Sequence, residues 1–329
     1  MLDNPYLKLL RIPNIFTVPP DVLLGCLIAI SSIQISTLST IGYQLPNAII
    51  LILSSISLYL GGLVSNDLFD TKTDKIERPN RPLPSGKVKR NHAIVLTIVF
   101  FSIGFLLSLL IFNIVTVGIS SLLIVSILIY NFKLKNGFWR PIVMGSIRAL
   151  NVLYGFSIIF GFSVRPVDDI TLLSRDLGTD VETQLLSLVL VSVFFHIFVL
   201  TSVSSRETTK EFTSDRKKSI DIKIILYSYT IFLLIIGALG FYLVDYKMSF
   251  VFFVIALGIV VIVIFYMAHK RMLHIEPSLR MQFIVKNMII LLILLDSAFI
   301  AGISGPLIGV MTASLILPSI VLSKKISMT

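Results

Sequence analysis

Between Ser65 and Gly86 the chain reads S-N-D-L-F-D-T-K-T-D-K-I-E-R-P-N-R-P-L-P-S-G. Asn66, Asp70 and Asp74 recur every four residues, so on a continuous helix their oxygen-bearing side chains share one face over two turns. Arg78 and Arg81 follow, set among prolines that end a helix and stiffen a turn. Carboxylates suit a hard cation such as Mg²⁺, and guanidinium groups suit phosphate oxygens. The set as a whole suits a metal-bound diphosphate. A solvated loop of mixed charge would have the same composition, but the arrangement recurs. From Ser205 the chain reads S-R-E-T-T-K-E-F-T-S-D-R-K-K, in which Glu207, Glu211 and Asp215 again step by four. Arg206 and Lys210 form a neighbouring row, placed to take phosphate charge. Taken alone, these residues would pass for helix-face ion pairs, each worth only about 0.2–0.5 kcal/mol. Their recurrence favours two acid-lined helix ends that face each other across one cavity.

The elements that must position them span a membrane. Of 329 residues, 55% are hydrophobic and 14% charged, and mean hydropathy is +0.94. Apolar runs of spanning length lie near 17–37, 46–65, 93–112, 114–131, 141–163, 184–204, 222–244, 248–268, 285–302 and 305–322. The expectation is an all-α polytopic bundle of nine to ten transmembrane helices, forming one domain over residues 1–329. The last two runs meet at Gly302, Gly305 and Pro306, where a tight hairpin is favoured over a kink in one long helix.

Lysine and arginine test this count independently, because they concentrate on the cytoplasmic side. They mark the N-terminal tail (Lys8, Arg11), every second loop and the far end (Lys324, Lys325), whereas the fifth loop is acidic, with Asp168, Asp169, Asp176, Asp180 and Glu182. Both termini and both acidic-basic stretches are therefore expected at the cytoplasmic face of the cell membrane. The same rule accounts for the net charge of +10, so nucleic acid is not expected as a partner. A single cysteine, Cys26, rules out a disulfide framework and a thiolate metal site, and Met1–Arg11 does not read as a cleaved signal.

Charges within spans are costly and point to function. Asp21, Arg148 and Asp296 qualify, with Asn151 one turn beyond Arg148, and Asn14 stands just before the first span. An internal ion pair of Arg148 with Asp21 or Asp296 and a role in holding a polar acceptor group weigh equally. His196, within the sixth run, reads as a packed, hydrogen-bonded residue, and Gly61, Gly62, Gly155 and Gly161 as points of close helix packing. No Ser/His/Asp or Cys/His arrangement and no glycine-rich phosphate loop is evident.

The N-D-x-x-D-x-x-x-D signature of Asn66–Asp74, continued by E-R-P-N-R-P-L-P-S-G, resembles the UbiA superfamily of intramembrane prenyltransferases. L-R-I-P-N-I-F-T near the start, Y-N-F-K-L-K at Tyr130–Lys135 and the later acidic motif follow in family order. The resemblance implies a helical bundle around a central cavity, with Mg²⁺ and a polyprenyl diphosphate held by two acidic motifs. The prenyl chain would pass to a lipophilic acceptor from the bilayer, an aromatic quinone precursor or a glycerol-phosphate lipid. Carried over by position, Asn66, Asp70 and Asp74 would hold metal, with Glu207, Glu211 and Asp215 added from the spacing of the second motif, and Asp70, Asp74 and Arg78 would carry the chemistry. Arg81, Tyr130 and Lys135, carried over likewise, would bind substrate; the residues themselves add Asp67, Arg206 and Lys210 beside the acidic motifs and Asn14, Asp21, Arg148 and Asn151 in or beside the spans. Glu211 stands where the family usually has Asp, and Lys217 and Lys218 stand where Gly and Asp are expected. With M-G-S-I-R-A-L-N at Met144–Asn151, this divergence resembles a less characterised branch. A membrane protein that binds or transports a prenyl-diphosphate-like lipid without chemistry is the rival reading.

Overall fold

The computed structural model describes residues 4–32, 38–134, 138–162, 181–205, 215–270 and 277–324. The described residues are helical and contain no strand. Nine helical stretches among them are long and apolar enough to cross a membrane, and Tyr227–Leu243 adds a shorter apolar helix, so the protein is a multi-pass membrane protein. The chain forms two compact units.

The first unit comprises Met1–Trp139, Leu150–Gly178 and Leu317–Met328. It contains α1 (Pro5–Leu9), a 3-10 turn (Ile12–Thr17), α2 (Val18–Ser32), α3 (Leu38–Glu77), α4 (Arg90–Leu109) and α5 (Ile114–Ile129). A π turn at Tyr130–Leu134 follows. The end of α6 (Trp139–Phe156), a second 3-10 turn (Ser157–Phe162) and most of α12 (Ile316–Ser323) complete the unit. At 40 residues, α3 is about twice the length a bilayer requires. It therefore runs on past its apolar stretch and carries the Ser65–Glu77 sequence as helix.

Helices in this unit approach closely where side chains are smallest. A β-carbon on Gly25 would lie 2.0 Å from the Val152 carbonyl oxygen, and one on Gly155 would lie 2.0 Å from that of Val22. Gly61 meets the Phe101 ring, and Gly104 meets Leu58 and the Ser54 carbonyl, which brings α4 onto α3. Ser54 Oγ donates to the Gly104 carbonyl at 2.6 Å and pairs with Tyr154 Oη at 2.7 Å, so the polar groups at that crossing are satisfied inside the unit.

The second unit comprises Arg140–Ala149, Thr179–Ile316 and Thr329, and contains the first part of α6 with α7 (Val181–Ser205), α8 (Asp215–Leu243), α9 (Lys247–Lys270), α10 (Pro277–Ser304) and α11 (Pro306–Ala313). The expected reversal is present. Gly305, at φ +90°, separates α10 from α11, and a β-carbon on Gly309 would fall 2.5 Å from that of Ala301. Two positions four residues either side of Gly305 touch, as they do in a tight hairpin and do not in a continuous helix. His196 is fully buried, as a packed residue should be. Its Nε2 faces the Met288 carbonyl at 2.9 Å, so Nε2 is the donor, and Nδ1 accepts from Tyr229 Oη at 2.5 Å. The ring thereby joins α7, α8 and α10.

Candidate active site

The last three turns of α3 place Asn66, Asp70 and Asp74 along one helix face, as their spacing requires. Asp67 belongs with them. Seven residues before Asp74, it lies almost directly above that residue on the helix, and both are 4% exposed. Two carboxylates so deeply covered need compensating charge. It comes from two arginines outside the helix. Arg81 Nη1 lies 2.7 Å from Asp74 Oδ2 and 3.8 Å from Asp67 Oδ1, while Arg11 Nη2 donates to Asp67 Oδ1 at 2.7 Å.

Local structure explains how each arginine arrives. The Arg78 amide donates to the Asp74 carbonyl at 2.8 Å, and the chain then turns at Pro79. Further turns close from Arg81 to Arg78 and from Ser85 to Arg81, and Gly86 takes φ +75°. Leu83 and Val88 pin this loop by packing with Leu9, Val64 and Ala93, residues of α1, α3 and α4. With its backbone anchored in that apolar cluster, the loop points Arg81 back at the helix it has just left. Arg11 comes from the turn between α1 and the first 3-10 turn, where its own backbone is left-handed at φ 43°, ψ 51°. That conformation costs an L-residue of order 1 kcal/mol. The C-terminal α12 braces the same segment, since Ser319 Oγ donates to the Pro13 carbonyl at 3.0 Å.

Asn66 Nδ2 lies 3.4 Å from both Asp67 Oδ1 and Asp70 Oδ2, so an N–H donor sits between two carboxylates. Among the described residues no three His, Cys, Asp or Glu side chains gather as a ready-made metal cage. The donors nonetheless fit Mg²⁺, which uses one or two carboxylates and completes its shell with water and phosphate oxygens. Asp70, Asp74 and the carboxamide oxygen of Asn66 offer that chemistry on one face.

Tyr130, 7% exposed, opens the π turn after α5. The turn is held against α3 by Asn131, whose Nδ2 donates to the Gly62 carbonyl at 3.1 Å and to Ser65 Oγ at 2.7 Å. Tyr130 is thus fixed beside the turn that leads into Asn66. Deeper in the first unit, Asn151 Nδ2 donates to Asp21 Oδ2 at 3.1 Å, and Ser55 Oγ donates to Asn151 Oδ1. Asp21 is fully buried, Asn151 6% exposed and Asn14 5% exposed. In the second unit Arg148 is half-buried on α6, and Asp296 is fully buried on α10. Lys135, Arg206, Glu207, Lys210 and Glu211 lie outside the described residues. Asp215 is the first residue of α8, and its side chain lies outside them too.

Sequence reasoning missed Arg11, Asn131 and Ser55 as parts of these arrangements. Arg11 lies in the quoted L-R-I-P-N-I-F-T run, yet its residue type showed only a basic tail. Its pairing with Asp67 joins residues 56 positions apart.

Residues 22–293 match the UbiA prenyltransferase family. Over 157 residues the chain is 34% identical to the digeranylgeranylglyceryl phosphate synthase of Sulfurisphaera tokodaii, covering 47% of this chain and 52% of that one. The chain spans about half the length of the curated relatives it matches. In three dimensions it resembles a UbiA homologue from Aeropyrum pernix K1, with TM-score 0.58, 17% identity and coverage of 88% of this chain and 97% of that one. It also resembles a UbiA homologue from Archaeoglobus fulgidus bound to DMAPP and Mg²⁺, with TM-score 0.56, 16% identity and coverage of 91% and 99%. At these identities the structural likeness is one of fold.

Proposed function

The chain belongs to the UbiA prenyltransferase family, and from that footing we propose that it is a Mg²⁺-dependent intramembrane prenyltransferase acting on a polyprenyl diphosphate and a glycerol-phosphate lipid. The observation that carries this reading is the end of α3, where the nearly buried Asp67 and Asp74 meet Arg81 and Arg11 at hydrogen-bond and ion-pair distances. Such alternation of carboxylate and guanidinium is matched to a ligand that is itself a cation and a polyanion together. The acceptor class is supported by the relatives named digeranylgeranylglyceryl phosphate synthase, which favour a glycerol-phosphate lipid over an aromatic quinone precursor.

In this reading Asn66, Asp70 and Asp74 hold Mg²⁺, and the second motif offers Glu207, Glu211 and Asp215 as metal ligands of the same chemistry. Bound there, the ion supplies positive charge to the departing diphosphate. Arg78 and Arg81, with Tyr130 and Lys135, bind the diphosphate oxygens and stabilise the charge that grows on them as the allylic C–O bond breaks, a role that Arg206 and Lys210 match by charge. The electron pair of that bond leaves with the diphosphate, and the acceptor hydroxyl oxygen forms the new C–O bond and loses its proton to the released diphosphate. The apolar helices exclude water, which would otherwise capture the allylic cation. Asp21, Asn151 and Asn14 hold the polar head of the acceptor, and Arg148 carries the charge to serve the same role. The whole chain, residues 1–329, acts as one prenyltransferase domain, and the matched span of 22–293 supports that. The lysine and arginine distribution supports a cell-membrane orientation with both termini and both acidic motifs cytoplasmic.

The test is diphosphate release from labelled geranylgeranyl diphosphate by purified protein, with and without Mg²⁺, against aromatic and glycerol-phosphate acceptors. Metal-dependent release with a prenylated glycerol-phosphate lipid is expected. Metal-dependent binding without release, across donors of several lengths, would overturn the transferase in favour of a lipid-diphosphate binder.

A further inference from the structure

Arg81 stands where two requirements of the site compete. Its Nη1 is 2.7 Å from Asp74 Oδ2, and the same nitrogen is 3.8 Å from Asp67 Oδ1. A guanidinium hydrogen-bonded to a carboxylate oxygen competes with a divalent cation ligated by that carboxylate, because the two positive charges repel across one acceptor. Diphosphate, for its part, needs arginine donors that are not committed to carboxylates. Arg81 cannot neutralise Asp74 and clamp phosphate through the same N–H.

The surroundings suit an exchange of partners. Leu83 and Val88 hold the backbone of the loop in the apolar cluster, so the exchange needs only the Arg81 side chain to move. Asp67 sits beside Asp74 as a second anion, held in place by Arg11 at 2.7 Å. Asp67, at ion-pair distance from Arg81 Nη1, can receive a guanidinium N–H as the side chain turns from Asp74 to a new acceptor.

We propose that Arg81 is an exchangeable counter-ion: it neutralises Asp74, yields that carboxylate to the metal and swings past Asp67 onto the diphosphate, so that metal and diphosphate bind in concert. Each ligand frees the group the other needs. Metal releases Arg81 for phosphate, and phosphate draws Arg81 off Asp74. The proposal rests on the metal–diphosphate reading of the site and adds to it an exchange at Arg81 with a thermodynamic signature.

The test uses the full chain in nanodiscs, with Mn²⁺ as the metal probe followed by electron paramagnetic resonance and inorganic pyrophosphate as the anion, at fixed free Mn²⁺. In the unaltered protein, pyrophosphate tightens Mn²⁺ binding. Arg81→Gln is expected to tighten binding of Mn²⁺ alone by about tenfold, since the competing cation is gone. It should also lose most of the enhancement by pyrophosphate. Lys75→Gln removes an equal charge one residue from Asp74 at an exposed position, and should leave Mn²⁺ affinity within about twofold. Arg81→Lys, which keeps the charge with fewer donors, should fall between Arg81→Gln and the unaltered protein in both measurements. Equal shifts in Arg81→Gln and Lys75→Gln would overturn the exchange, reducing it to general electrostatics. So would weaker Mn²⁺ binding in Arg81→Gln, or pyrophosphate enhancement that survives in it. Each of these leaves the metal–diphosphate reading intact, whereas an unaltered protein that binds neither Mn²⁺ nor its pyrophosphate complex overturns both.

Discussion

Asp67 and Arg11 meet at 2.7 Å across 56 positions of sequence, and the arginine reaches that carboxylate from a left-handed backbone. A strained residue holding a nearly buried charge separates two energies that substitution can resolve. Arg11→Ala keeps the strained backbone and loses the ion pair, whereas Arg11→Gly loses the pair but relieves the strain. Both should lower stability, and Arg11→Ala should fall below Arg11→Gly by about 1 kcal/mol. Thermal unfolding in detergent micelles measures the difference. Equal losses would mean that the backbone conformation carries no cost.

Asp70 and Asp74 are expected to be needed for turnover. Alanine at either position should lower the rate of diphosphate release by at least about 100-fold, the scale seen when one electrostatic stabiliser is removed from an active site. A chelator should have the same effect on the unaltered protein, and added Mg²⁺ should restore the rate. Release that persists at full rate in both alanine variants would place the chemistry elsewhere.

His196, Tyr229 and the Met288 carbonyl form a closed hydrogen-bond chain with no exposed member. His196→Phe fills the space but leaves the Tyr229 hydroxyl and the carbonyl without their partner, at a cost of roughly 2–4 kcal/mol. Tyr229→Phe leaves Nδ1 alone and should cost about 1–2 kcal/mol. In the double variant the losses should fall short of additive, because one interaction is counted in both. Strict additivity in chemical unfolding would show that the two side chains do not act together.

Gly25 and Gly155 differ from Gly118 and Gly258 in what surrounds them. A β-carbon on Gly25 or Gly155 would lie 2.0 Å from a backbone oxygen, so Gly155→Val should prevent stable folding and yield aggregated protein on size-exclusion chromatography. Gly118 in α5 and Gly258 in α9 have nothing within 4 Å of that position. Alanine at either should be tolerated, and should raise stability by about 0.5–1 kcal/mol through helix propensity.

Much of this protein is written in short-range pattern. The apolar runs and the alternation of basic loops are enough to specify a multi-pass helical protein, because a bilayer demands about 20 apolar residues per crossing and positive charge stays inside. The four-residue spacing of Asn66, Asp70 and Asp74 specifies one helix face, because it depends only on the pitch of the helix that carries them. Gly302, Gly305 and Pro306 likewise marked the reversal between α10 and α11. What tertiary structure alone decided is which charge answers which. Asp74 turns to Arg81 because a loop pinned by Leu83 and Val88 curls back on α3. Asp67 turns to Arg11, Ser65 to Asn131 and Asp21 to Asn151 across 56, 66 and 130 positions. Residue type makes many such pairings chemically equivalent. The packing of the helices selects among them, because in a low-dielectric interior a charge or an amide must take the partner that the backbone brings within about 3 Å.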